Sequence, residues 1–100
     1  MTHPRNIVGP AVRSAREAQG ITQPTLVAKL NLLGWNISRE VLAKIECRFR
    51  WVADFELVLL ARALGITPAS LLAEADLDFK VPEHAATAAH KVPGPRRAKR

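Results

Sequence analysis

The sequence predicts an all-α domain of five short helices, and three observations carry that expectation. Apolar residues recur at spacings of three and four instead of alternating, so nothing reads as a strand. Helix-opening residues (Thr22, Ser38, Asp54, Thr67) and helix-closing glycines (Gly20, Gly65) punctuate the chain at intervals of one short helix. The composition is rich in Ala and Leu, which favour helix.

The first helix is expected from about Asn6 to Gln19, with Val8, Val12 and Ala15 on one face. Pro10 sits in its first turn, where a missing N–H costs little, and Gly20 ends it in a left-handed conformation. The second helix follows the N-cap Thr22, with Pro24 in the first turn and Leu26, Val27 and Leu30 as its buried stripe. Gly34 and Asn36 break the pattern within Asn31–Asn36, which reads as a turn. The third helix follows Ser38 and buries Leu42 and Ile45, with Val41 at the boundary. Cys47–Ala53 (CRFRWVA) reads as a loop carrying two arginines and two aromatics. Asp54 is expected to cap the fourth helix, which has Leu57, Leu60, Ala61 and Leu64 inward and stops at Gly65. Thr67 caps the fifth, Pro68 is its first residue, and Leu71 and Leu72 point into the core. After Lys80 the periodicity fades, so residues 1–80 form the domain and 81–100 a flexible basic tail.

One hundred residues make one small domain, long enough to bury a core without disulfides or metals. The single cysteine, Cys47, allows no internal disulfide and fits a reducing compartment. The N-terminus lacks an apolar stretch of signal-peptide length, and no run approaches the roughly 20 apolar residues of a membrane span. A soluble, cytoplasmic protein is expected. Net charge is +6 and the pI is about 10.5. Residues 1–80 hold ten Lys/Arg and eight Asp/Glu, whereas 81–100 hold five and one, so most of the excess lies in the tail. A solubilising tail and a DNA-contacting tail stay equally open on this evidence.

Metal and catalytic readings fail on spacing. His84 and His90 are six apart in the tail, and His3 and Cys47 add no pair, so no metal site is expected. No glycine-rich phosphate loop, nucleophile elbow or His–Ser or His–Cys pair is present, so neither an enzyme nor a cofactor is expected.

Between Arg16 and Glu46 the chain reads REAQGITQPTLVAKL and, after a break, ISREVLAKIE. The pair Thr22–Gln23, the pattern Leu26, Ala28, Leu30, the segment ending at Glu46, and ALGI at 63–66 stand in the order and spacing of a known family. Over roughly residues 5–75 the chain resembles the Cro/cI-type (XRE) helix-turn-helix DNA-binding domains. The resemblance implies a lambda-repressor-like five-helix fold whose third helix enters the major groove of duplex DNA. Carried onto this sequence, it makes Arg39, Glu40, Ala43 and Lys44 the base-contacting residues. Arg can pair bidentately with guanine, Glu can accept from cytosine N4, and Ala can touch a thymine methyl. Gln23, Ser38, Arg48 and Arg50 become phosphate contacts, with the partial positive charge of a helix N-terminus behind Gln23. Arg16 and Glu46 become an architectural ion pair, which fixes orientation more than it adds stability. Without the resemblance, the polar face of helix three reads first as a solvated surface with an internal Arg–Glu pair, and Arg48 and Arg50 fit a soluble loop.

The family function implied is sequence-specific transcriptional regulation, as a repressor, by a homodimer on a palindromic site. Candidate dimer contacts are Trp51, Val52, Leu59 and Leu77–Phe79; Phe49 and Trp51 read as core or dimer residues. Two alternatives remain open: an antitoxin that binds a toxin and represses their shared promoter, and a protein-interaction module that keeps the fold alone. One departure from the family is clear. The link LNLLGWNIS between helices two and three is about four residues longer than usual. Either helix two gains a turn or the link becomes a loop, with Trp35 or Leu33 tucked into the core.

Overall fold

Five helices form: α1 (Gly9–Ala18), α2 (Gln23–Leu32), α3 (Arg39–Glu46), α4 (Asp54–Leu64) and α5 (Pro68–Ala73). They come from a computed structural model that describes residues 4–75 and 77–78. No strand occurs among the described residues. The tail, Phe79 and all three histidines lie outside the described residues, as do the expectations placed on them.

Capping sets most of the boundaries. The hydroxyls of Thr22, Ser38 and Thr67 accept from the backbone N–H groups of Thr25, Val41 and Ser70, so each helix opens on the expected residue. α4 opens differently. Its N-cap is Ala53, whose N–H donates to Glu56 Oε1 at 3.0 Å, and Asp54 is already the first helical residue. Asp54 therefore contributes through its charge at the helix N-terminus instead of capping. α1 starts three residues later than the spacing suggests. Asn6 stays outside it and accepts from Gly9 N–H at 2.7 Å.

Two glycine ends share one geometry. Gly20 and Gly65 take φ of 70° and 71°, and the residue after each donates back into the last turn (Ile21 to Arg16 O, Ile66 to Ala61 O).

The core consists of Val8, Ala11, Val12, Leu26, Leu30, Ile37, Leu42, Ile45, Leu60, Ala61, Leu64 and Leu71, all aliphatic. α3 packs on α1 and α2, while α4 packs on α1, α2 and α5. Leu72 does not join the core as expected; it is 42% exposed. α5 has only six residues and buries a single position, and Leu72 lies about a quarter turn from Leu71.

The long link resolves into both suggested solutions. α2 continues to Leu32, which is 87% exposed, and a loop then carries Trp35 onto the core as a half-buried lid, while Leu33 stays outside. The Asn31 side chain ties the loop down by donating to the carbonyls of Trp35 and Ile37.

Candidate nucleic-acid interface

α3 has one buried side and one open side. Leu42 and Ile45 are fully buried, whereas Arg39, Glu40 and Lys44 are exposed and Ala43 is half-buried. The four candidate base-contacting residues thus share one face, as spacings of one, four and five on a helix require. Cys47, exposed at the C-terminal end of α3, continues the same face. Its distance of three from Lys44 and four from Ala43 was the available signal in the sequence.

The face is held from behind by a buried ion pair. Arg16 Nε donates to Glu46 Oε2 at 2.8 Å and Nη2 donates to Oε1 at 3.1 Å, with both side chains nearly withdrawn from solvent. Arg16 Nη1 also donates to the Ile21 carbonyl at 2.9 Å. The hydrogen bond to Glu46 raises the Arg16 pKa, against the opposing effect of burial. The pair joins α1 to the end of α3 and so fixes α3 against the body of the domain.

From that pair a polar relay runs to the surface. Gln23 Nε2 donates to Glu46 Oε1 at 3.0 Å, and Gln23 Oε1 accepts from Arg39 Nη1 at 3.2 Å. Arg39 also lies 4.0 Å from the Glu40 carboxylate, with both side chains more than half exposed, a contact worth little in water. The amide of Gln23 therefore bonds protein partners through both its oxygen and its nitrogen, and its NH2 keeps a second N–H beyond the one given to Glu46.

A backbone strap closes the C-terminal end of α3. Asn6 Nδ2 donates to the carbonyls of Ile45 (3.1 Å) and Arg50 (2.8 Å), and the Arg5 N–H donates to the Arg48 carbonyl at 3.3 Å. Gly9 allows this approach, because a Cβ there would run into the Ile45 carbonyl oxygen. Neither Asn6 nor Gly9 stood out in the sequence, since their partners lie about 40 residues away.

The two loop arginines take different places. Arg48, half-buried, sits at φ 69°, where α1, α2 and α4 use glycine at their ends. Its N–H donates to Ile45 O, and Phe49 N–H donates to Lys44 O at 2.8 Å, closing α3. A non-glycine residue there costs roughly 1–2 kcal/mol. Arg50 instead turns inward. Its guanidinium forms a two-pronged pair with Glu56 at 2.8 and 3.1 Å, donates to the Trp51 carbonyl and sits 5.7 Å from the centre of the Trp35 ring. The hydrogen bond to Glu56 raises the Arg50 pKa, and the same bond, with that from Ala53 N–H, lowers the Glu56 pKa against burial. The sequence-based expectation placed Arg50 on a phosphate; the structure places it in a bracket between the α2–α3 loop and α4.

Phe49 and Trp51 are 67% and 58% exposed, which removes the core reading for both. Of the other suggested dimer residues, Leu77 is exposed, and Val52 and Leu59 are half-buried against the core. No helix among the described residues is long and apolar enough to cross a membrane.

No protein-family model matches the sequence, and a comparison with curated proteins finds no match either. Among solved structures, the chain is similar to the crystal structure of the clp gene regulator ClgR from C. glutamicum. The TM-score is 0.62 and the sequence identity 28%, over 70% of this chain and 84% of that one. The five-helix all-α architecture is therefore that of a helix-turn-helix regulator.

Proposed function

We propose that this protein is a small transcriptional regulator of the Cro/cI type that reads duplex DNA with α3, acting as a homodimeric repressor in the cytoplasm. The observation that carries the reading is the build of α3. Its inner side is anchored by Leu42, Ile45 and the Arg16–Glu46 pair, and its outer side presents Arg39, Glu40, Ala43 and Lys44 together. A helix entering the major groove needs both sides. The likeness to a gene regulator supports the same conclusion.

In this reading Arg39, Glu40, Ala43 and Lys44 meet base edges. Ser38, at the N-terminus of α3, and Arg48, at its C-terminus, meet phosphates and set the register. Gln23 serves as a phosphate contact while it orients Arg39. Arg50 is assigned to architecture, because Glu56 already occupies both of its prongs. A domain this small reads few base pairs, so two copies on a palindromic site supply the missing affinity. Repression then follows from occupancy of the site.

Titration of fluorescent duplexes with wild type and Arg39→Ala tests the assignment. The expected outcome is that Arg39→Ala binds preferred and scrambled duplexes alike, with nonspecific affinity nearly unchanged. Equal sequence preference in the two proteins would remove Arg39 from the reading face.

A further inference from the structure

The outer side of α4 carries apolar surface that the described residues leave at least partly uncovered. Phe55 is 65% exposed and Val58 38%, and Leu59 is half-buried. They stand at positions i, i+3 and i+4, so they form one stripe opposite the buried Leu60, Ala61 and Leu64. The composition sharpens the point. The chain has only five aromatic residues, none of those described is fully buried, and Phe49, Trp51 and Phe55 are all more than half exposed within seven residues. Such an exposed apolar cluster marks a surface that something covers.

The charges on the same helix indicate what covers it. Asp54, Val58 and Arg62 lie four residues apart along one ridge, with the acid at the N-terminal end, the base in the last turn and Val58 midway. Asp54 and Arg62 are both exposed, and neither has an ion-pair partner among the described residues. A ridge with opposite charges equidistant from an apolar centre is complementary to itself when reversed. If two copies of α4 pack antiparallel about a two-fold axis at Val58, Asp54 of each copy meets Arg62 of the other, and the helix dipoles oppose as well.

We propose that the outer face of α4 is the self-association surface of this protein, with Phe55, Val58 and Leu59 as its apolar centre and reciprocal Asp54–Arg62 pairs at its ends. The occupant is a second copy of this chain. This rests on the dimeric reading given above and supplies its contact. α4 does not pack on α3 as a main neighbour, so its outer face can be covered while the reading helix stays open. The face is small, so the free dimer forms in the micromolar range and DNA tightens it.

The test is sedimentation equilibrium of the full chain without DNA, from micromolar to near-millimolar protein. Wild type is expected to show a concentration-dependent dimer. Val58→Asp, at an exposed position, is expected to stay monomeric with unchanged helix content by circular dichroism. Asp54→Arg and Arg62→Asp are each expected to weaken the dimer about tenfold by setting like charges opposite one another, and the double exchange is expected to restore it. A wild-type monomer at every concentration would overturn the proposal and leave the face to another partner protein. A dimer insensitive to Val58→Asp, or a double exchange that fails to rescue, would overturn it too. Because no DNA is present, these outcomes are independent of whether α3 reads DNA; a protein that dimerises through α4 yet shows no sequence preference would sink only that other reading.

Discussion

Arg39 donates to the Gln23 side-chain oxygen at 3.2 Å, and the direction of that bond is set by Glu46. A carboxylate can only accept, so Gln23 must turn its NH2 toward Glu46 and its oxygen outward, toward the guanidinium of Arg39. The ion pair inside the domain thereby reaches Arg39, the first residue of α3. Gln23→Ala is expected to cost about 1 kcal/mol of stability. It is also expected to relax base preference at the position Arg39 meets, by part of the about 1–3 kcal/mol that a bidentate pair confers. Competition among duplexes that differ by one base pair measures this. A uniform loss across all of them would mean that Gln23 acts on phosphate alone.

Glu46→Ala leaves Arg16 buried without its partner, and loss of one member of such a pair typically costs about 3–5 kcal/mol. Thermal denaturation is expected to show a large drop in Tm, with DNA affinity falling as a consequence of the loosened α3. Unchanged melting would remove the pair from the architecture. Replacing both partners with apolar residues of similar volume is expected to recover much of the stability while losing the relay to Gln23.

Gly9→Ala opposes two effects. Alanine gains nearly 1 kcal/mol in a helix. The added Cβ, however, meets the backbone carbonyl of Ile45, which cannot swing aside as a side-chain end would. Overpacking of this kind costs roughly 1–3 kcal/mol, so net destabilisation is expected in urea unfolding. A stabilised variant would show that α1 and α3 do not approach so closely.

Glu56 gives the protein a defined acid limb. Its pKa is lowered from 4.5, first by the hydrogen bond from Arg50. The native state therefore favours the carboxylate. Its contribution is fully present above the unfolded value and is lost as pH falls through the lower native value. Glu56→Gln is expected to be less stable than wild type at neutral pH and to close that gap as pH falls below 4.5. A gap that is constant with pH would mean that the Arg50–Glu56 pair is not formed.

Local features of the sequence were readable because they act over three or four residues. Thr22, Ser38 and Thr67 cap the helices they precede, and Gly20 and Gly65 end the helices they follow. The exposed faces of helices were readable for the same reason, which is why Arg39, Glu40, Ala43 and Lys44 fall together. What sequence spacing could not give is contact across the chain. Asn6 and Gly9 matter because the end of α3 comes back against them, and Arg50 is drawn inward because Glu56 and Trp35 converge on it. Arg48 carries a positive φ that no propensity rule would assign to arginine. Leu72 looked like core because α5 was given two inward positions, where its six residues bury one.

The most direct test of the central claim is selection from random duplex DNA by the purified full chain at about 0.15 M salt, where phosphate-only contacts are weakened. The expected result is an enriched palindrome whose half-site preference is changed by Arg39→Ala. The contradicting result is no enriched motif, with only binding that fades as salt rises; α3 would then not read DNA.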